Sequence, residues 1–556
     1  MKVKWTMLGM VVFFLLSVVM TFCFIWQYRI PKLKTVSSKE APVEEMCPRY
    51  PEPVPLKHPI ISLRVALEKV DLLLRTSVDR TKLPALSAIL VLNDSVLWIG
   101  NFGKKNISDP VSTAPNEYTV YRIASLSKIF PTLMLYKLWE EGLVGSLDDC
   151  LEKYADNFTI KNPLGRSGES ASSPVKTFNR RLPAITLRRM ASHLSGLPRR
   201  LRSTNLLWSG DTQAALNLLQ DDVLVADPGT KCHYSNVAFS LLANVLAPEL
   251  TGMDFEKWVF HNILDQLGME NTGFDMTPVI QRQMAVGVYS NGQPAPLYNL
   301  GWYRPAGQMF STTADMAKLM MALLGSYSRT LLRKDTLNTM LSSLFQCQSG
   351  YFANYTGTPW EINQHLGYDV VRKDGDLDGF AATLSLVPRL KLGLVIMMAG
   401  VRPSDKDLVS RIYSHLIPAL EGAFRDAELT LRPPPDPAPY IGFFTYKNMT
   451  FYEIKAGSDG VLVMQQFGPP VEKSVPSNYQ TIHLEYLQDR VFRVVFKRPY
   501  PCKLTFNSAS VSLETQDRQL FNFYLFNKKG VSPGFDSPGL NTYRVRRIAS
   551  RPYFTT

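Results

Sequence analysis

Hydrophobic positions along this chain change texture several times, and each texture predicts a different kind of element. Residues 6–28 carry no charge and are almost wholly apolar, with Lys2 and Lys4 before and Arg29, Lys32 and Lys34 after. About 20 such residues suffice to span a bilayer as a helix, and the bulky exit Phe24-Ile25-Trp26-Gln27-Tyr28 suits an uncleaved anchor better than a signal cleavage site. The expectation is a short tail (1–5), a single N-terminal transmembrane signal-anchor (6–28) and a Pro-rich stalk (29–60). From Ile61, apolar residues at Leu63, Val65, Ala66, Leu67, Val70 and Leu73 predict an amphipathic helix. Continuous apolar runs at 88–92 and 96–99, parted by Asn93-Asp94-Ser95, predict a hairpin, and so do 382–387 and 392–398. Helices and short strands alternate between them, with a polar surface loop at 164–176. A Pro-rich linker (426–439) ends that region. From 440 to 556 the pattern turns to short alternating runs, the mark of an all-β module, either a sandwich or a small barrel.

One helix stands out. From Ser125 to Glu141 the chain is apolar on nearly every side after Lys128, and Gly142 is placed to stop it. Ser125 and Lys128, three residues apart, point the same way at its polar end. A desolvated lysine can lose its proton near neutral pH and activate a neighbouring hydroxyl, and the free N–H groups of a first helical turn can meet developing negative charge.

Composition narrows the partners. With 556 residues, 45% apolar and 20% charged, the chain is ordinary globular material rather than a multi-span membrane protein. The net charge of +13 comes from scattered residues with no long basic run, which argues against nucleic acid. Seven histidines show no zinc-type cluster, and His193 and His233 read as structural. Five cysteines follow the apolar run (Cys47, Cys150, Cys232, Cys347, Cys502), so two internal disulfides at most can form, with the pairing open. Sequons at Asn93, Asn106, Asn157, Asn354 and Asn448 are candidate glycan sites and fit a lumenal or extracellular body.

Two further segments carry candidate chemistry. A turn leads into Tyr234-Ser235-Asn236 and an apolar helix; Tyr234 suits a phenol acid/base, and Asn236 can orient a lysine or a substrate carbonyl. Lys373-Asp374-Gly375-Asp376 precedes the second hairpin, where glycine permits close backbone approach. In this order, Ser125-x-x-Lys128, Tyr234-x-Asn236 and Lys373-x-Gly375 resemble the three signature elements of serine β-lactamases and penicillin-binding proteins. The Tyr-x-Asn form resembles the class C β-lactamase and DD-peptidase branch. The connecting stretches at 193–198, 267–272 and 305–317 resemble that branch too, so the likeness covers roughly residues 62–420. With an anchor before it and a β-module after it, the chain looks like the animal β-lactamase-like proteins, and Tyr440-x-Gly442 resembles the start of their lipocalin-like tail.

The resemblance implies an α+β catalytic domain (61–425): an antiparallel sheet with flanking helices beside a helical subdomain, the site between them, followed by a small all-β lipocalin-like module. It implies Ser125 as nucleophile, Lys128 to take its proton or hold the charge balance, and Tyr234 as proton shuttle. Asn236 and Lys373 would bind substrate, with Gly375 beside them, and the N–H groups of Ser125 and Asp376 would form the oxyanion hole. No metal or organic cofactor is implied. The substrate would be a small molecule or peptide, cleaved as a peptide, amide or ester; the alternative is an inactive binding or assembly protein. Two departures bear on this. Asp374 stands where the family has Thr, Ser or Gly, and a carboxylate facing the pocket would pair with Lys373 or Lys128 and repel acidic substrates such as β-lactams. Gln308 stands where the family has Gly.

Overall fold

The structure is a computed structural model describing residues 2–29, 53, 56, 60–164, 184–403, 407–429, 431–469, 480–496, 503–506, 509–512, 517–538 and 542–554. Most of the stalk, most of the 164–176 loop, Cys47 and Cys502 lie outside these residues. The chain divides into two compact units, one of residues Tyr50–Leu429 and one of Thr430–Thr556 with Met1–Arg49.

The apolar N-terminal run is helical, α1 (Lys2–Arg29). Among the described residues, however, no helix is long and apolar enough to cross a membrane. The expected transmembrane span therefore has no support from the structure.

In the larger unit the amphipathic segment forms α2 (Arg64–Thr81), which buries Ala66, Val70, Leu73 and Leu74. Val65 faces solvent instead. The first hairpin is β1 (Ala85–Leu92) and β2 (Ser95–Gly103), turning at Asn93 with φ 55°. A two-residue pair, β3 (Tyr121–Arg122) with β4 (Phe310–Ser311), frames the start of the site. Downstream come β5 (Phe345–Gln346), β6 (Tyr355–Thr356), β7 (Glu361–His365), β8 (Tyr368–Leu377), β9 (Phe380–Val387) and β10 (Leu392–Ala399). These join β1 and β2 in one eight-stranded antiparallel sheet, ordered β2-β1-β10-β9-β8-β7-β6-β5. The central strands β1, β9 and β10 are buried along their whole length, which is why they read as continuous apolar runs rather than alternating ones.

The two sheet faces are distinct. Even-numbered residues of β1 and β10 pack on α2 and on the helix Leu408–Leu429, whereas Ile89, Val91, Val395 and Met397 pack toward the helical region. In β8 the division falls between neighbours, Val370 on the first face and Val371 on the second. That parity decides where the residues after Val371 point.

The buried helix expected from Ser125 starts as a 3₁₀ turn, Ala124–Lys128, and becomes α3 only at Ile129 (Ile129–Glu140). It ends at Glu140, and Gly142 follows with φ 79°. Behind it lies α4 (Asn236–Thr251), capped by the Ser235 hydroxyl, which accepts from Ala238 N–H at 3.1 Å. The helix Leu408–Leu429 is α5.

The smaller unit closes into an eight-stranded barrel, settling the choice between sandwich and barrel. Its strands are β11 (Gly442–Tyr446), β12 (Thr450–Ala456), β13 (Leu462–Phe467), β14 (Thr481–Gln488), β15 (Val491–Val495), β18 (Leu520–Phe523), β19 (Gly534–Ser537) and β20 (Thr542–Ile548). A separate hairpin, β16 (Lys503–Phe506) with β17 (Ala509–Ser512), falls between β15 and β18. Alternate residues such as Tyr452 and Ile454, Phe492 and Val494, and Phe521 and Phe523 fill a common core in which aromatic edges meet faces.

Candidate active site

Ser125 and Lys128 meet because their turn is 3₁₀, the geometry in which side chains i and i+3 eclipse. Lys128 Nζ lies 3.1 Å from Ser125 Oγ and 2.7 Å from the Ala306 carbonyl oxygen. Lys128 is fully buried, and that burial pulls its ammonium down to about 8; the positive charge of Lys373 adds to the shift and Tyr234 opposes it. Ala124, immediately before the serine, has a left-handed backbone, φ 48°. A buried alanine held there costs energy of the kind that gathers at functional sites.

Tyr234 arrives on the segment leading into α4, and its hydroxyl donates to Ser125 Oγ at 2.7 Å. Burial favours the neutral phenol, but the charges of Lys128 and Lys373 outweigh it and hold Tyr234 below the ordinary tyrosine value. His193 stacks on the ring, centroids 4.3 Å apart, and its Nδ1 accepts from Ser235 N–H at 3.1 Å. Burial keeps this imidazole far below its usual pKa, so it is a neutral support, as a structural histidine should be. Asn236 is the first residue of α4 and is largely buried; its N–H donates to the Arg199 carbonyl at 3.1 Å.

A disulfide, Cys232–Cys347, ties the Tyr234 segment to the strand region after β5. The side chain of Gln348 brackets Cys232 with two hydrogen bonds, and Phe352 meets the Tyr234 ring edge-on at 5.6 Å.

The third element sits on β8, and glycine there has a clear reason. A Cβ on Gly375 would stand 2.5 Å from Ile123 O and 2.8 Å from Ser125 N, so only glycine lets β8 lie against the serine turn. Lys373 faces the same side, 5.4 Å from the Tyr234 ring centroid, and is buried. Its Nζ donates to Glu361 Oε1 and to the Asp374 carbonyl oxygen, while Glu361 Oε2 accepts from Asp374 N–H at 3.1 Å. Burial would lower the Lys373 ammonium; Glu361 reverses this and raises it. Glu361, on β7, was not singled out from the sequence.

The concern over Asp374 is corrected by strand parity. Its side chain points to the opposite sheet face, where it accepts from Arg372 Nε at 2.9 Å and from the Thr383 hydroxyl at 2.7 Å, with Arg402 3.6 Å away. Burial alone would raise its pKa, but the two guanidinium groups hold it low. It pairs with neither Lys373 nor Lys128 through its carboxylate. Asp376 likewise turns outward to Arg402, at 2.9 Å. Gln308 also has a structural task, since its Oε1 accepts from Arg122 Nη2 (3.1 Å) and from Leu300 N–H (3.0 Å).

The structure thus brings Ser125, Lys128, Tyr234, Lys373 and Gly375 together from three distant segments. With that geometry the family follows. The beta-lactamase model matches residues 70–416, and the chain belongs to that family. It is similar to human beta-lactamase-like 1, 58% identical across 92% of this chain and 100% of the human one. It is 30% identical to beta-lactamase-like protein 4 of Dictyostelium discoideum, over 67% of each chain. Among solved structures, an octameric penicillin-binding protein homologue from Pyrococcus abyssi superposes with a TM-score of 0.52 at 19% identity, covering 83% of this chain and 96% of that one. A class C β-lactamase from Rhodobacter sphaeroides gives 0.51 at 19% identity, covering 64% and 98%.

Proposed function

We propose that this protein is a membrane-anchored serine hydrolase acting through an acyl-enzyme on a peptide, amide or ester. The observation that carries the reading is the buried Lys128 amine, poised near neutrality between Ser125 Oγ and the Ala306 carbonyl. In its neutral form Lys128 offers a lone pair to the Ser125 proton while Tyr234 donates to the same oxygen, so the hydroxyl is polarised from both sides. Ser125 Oγ then bonds to the acyl carbon and its proton passes to Lys128. The oxyanion is met by the N–H groups of Ser125 and Asp376, with Asn236 orienting the acyl side. Tyr234 gives its proton to the leaving group as the old bond breaks. The tyrosinate takes a proton from water, whose oxygen attacks the acyl carbon; the bond to Ser125 Oγ breaks, and Lys128 returns its proton to that oxygen.

The uncharged apolar run at 6–28, with basic residues on either side, supports anchoring. The Cys232–Cys347 bond supports an oxidising, lumenal or extracellular setting. Asn93, Asn157, Asn354 and Asn448 are exposed and Asn106 is half-buried, which supports glycan attachment. The test is labelling of the glycosylated full-length protein in detergent by a fluorophosphonate or penicillin probe, expected on wild type and lost in Ser125→Ala. Silence toward acyl, peptide and ester probes alike would favour the inactive binding protein. A glycosidase shift and resistance to carbonate extraction check the topology.

A further inference from the structure

Three cations surround the Tyr234 ring: Lys128 Nζ at 4.9 Å, Lys373 Nζ at 5.4 Å and the Arg199 guanidinium at 5.1 Å from its centroid. They are not equivalent. Lys128 is buried and held by Ser125 and Ala306. Lys373 is also buried, and two of its N–H donors are taken by Glu361 and the Asp374 carbonyl, while the second Glu361 oxygen is held by Asp374 N–H. The charge of Lys373 is already offset by Glu361, and with two of its three donors committed it can offer an anion one N–H at most. Arg199 differs in both respects. It is exposed, and among the described residues its side chain has no carboxylate partner. Its backbone is fixed, because its carbonyl accepts from Asn236 N–H at the start of α4. Lys231, two residues before His233, is exposed as well, and both it and Arg199 act on His233, so positive charge gathers on this side. A guanidinium held over an aromatic face keeps N–H edges free for a planar anion.

We propose that Arg199 determines specificity by binding an anionic group of the substrate, a carboxylate or a phosphate, at the mouth of the cleft beside Tyr234. The place follows from Tyr234: the exposed Arg199 guanidinium lies over the ring of the phenol that acts in the hydrolase reading. The proposal rests on that reading for its chemistry, and the tests separate the two. The positive charge that an acidic substrate meets is therefore at the mouth, while the inner lysine is neutralised by Glu361.

The measurement compares 3-acetoxybenzoate, whose leaving group carries a carboxylate, with neutral phenyl acetate. Wild type is expected to favour the anionic ester at least ten-fold in kcat/KM, mostly through KM. Arg199→Glu should lower that ratio at least a hundred-fold, and Arg199→Lys should restore much of it. A ratio unchanged within two-fold in Arg199→Glu, with Ser125-dependent turnover intact, overturns the proposal. Calorimetric binding of 3-hydroxybenzoate to Ser125→Ala and to Ser125→Ala/Arg199→Glu decides the matter without turnover. A ten-fold or greater loss supports an anion site at Arg199 even if the hydrolase reading fails, whereas equal binding, or none to either protein, refutes it.

Discussion

The two faces of β8 carry opposite charge arrangements within two residues of each other. On the inner face one lysine meets one carboxylate, Lys373 with Glu361, both buried, and the lysine lies 5.4 Å from the Tyr234 ring centroid. On the outer face Asp374 lies among Arg372, Arg402 and Thr383, with Asp407 completing the cluster on Arg372. The inner pair sets the charge around the reacting groups; the outer one joins β8 to β9 and to the start of α5. A residue inside a catalytic signature can thus belong to the scaffold, while a residue from a neighbouring strand supplies the charge inside the site.

This contrast can be broken most severely at Gly375. Gly375→Ala places a carbon against Ile123 O and Ser125 N, so probe labelling should fall at least a hundred-fold while circular dichroism stays native-like. Lys128→Met should abolish labelling to a similar extent yet raise stability by roughly 1–3 kcal/mol, since it removes a buried amine. The linkage has a definite sign. Between pH 8 and 10.5 the unfolded chain holds a proton on Lys128 that the folded chain has released, so wild-type stability rises with pH across that window by an amount on the order of 3 kcal/mol. Denaturant titrations should show this rise flattened in Lys128→Met. Glu361→Gln leaves Lys373 charged and unbalanced. It should cost roughly 3 kcal/mol of stability and move the midpoint of the labelling pH profile below the wild-type value near 8, because an uncompensated Lys373 further depresses Lys128. Smallest of all, Asp374→Thr should cost about 1–2 kcal/mol in thermal melts, as Arg372 retains Asp407 and Arg402 retains Asp376, while labelling stays within two-fold of wild type.

The reacting side chains were legible because their chemistry is local: Ser125 and Lys128 lie one turn apart, and Tyr234 and Lys373 sit in short motifs. Both hairpins were legible from apolar runs punctuated by turns. The face of Asp374 was not, because Val370 and Val371 are both apolar in a sheet covered on both sides, so alternation carries no parity signal. Glu361 lay beyond reach for a related reason. It opens a five-residue strand, and its pairing with Arg372 in the register depends on long-range sheet order. Nor could periodicity distinguish the 3₁₀ turn of Ser125 from the expected α-helical start, or foresee the left-handed Ala124, since both follow from tertiary packing.

The sulfur bridge between Cys232 and Cys347 spans 115 residues of sequence. A protease making a single cut anywhere inside that interval would leave one covalently joined molecule, its two fragments parting only on a reducing gel. The phenol and the strand region across from it would stay moored through such damage.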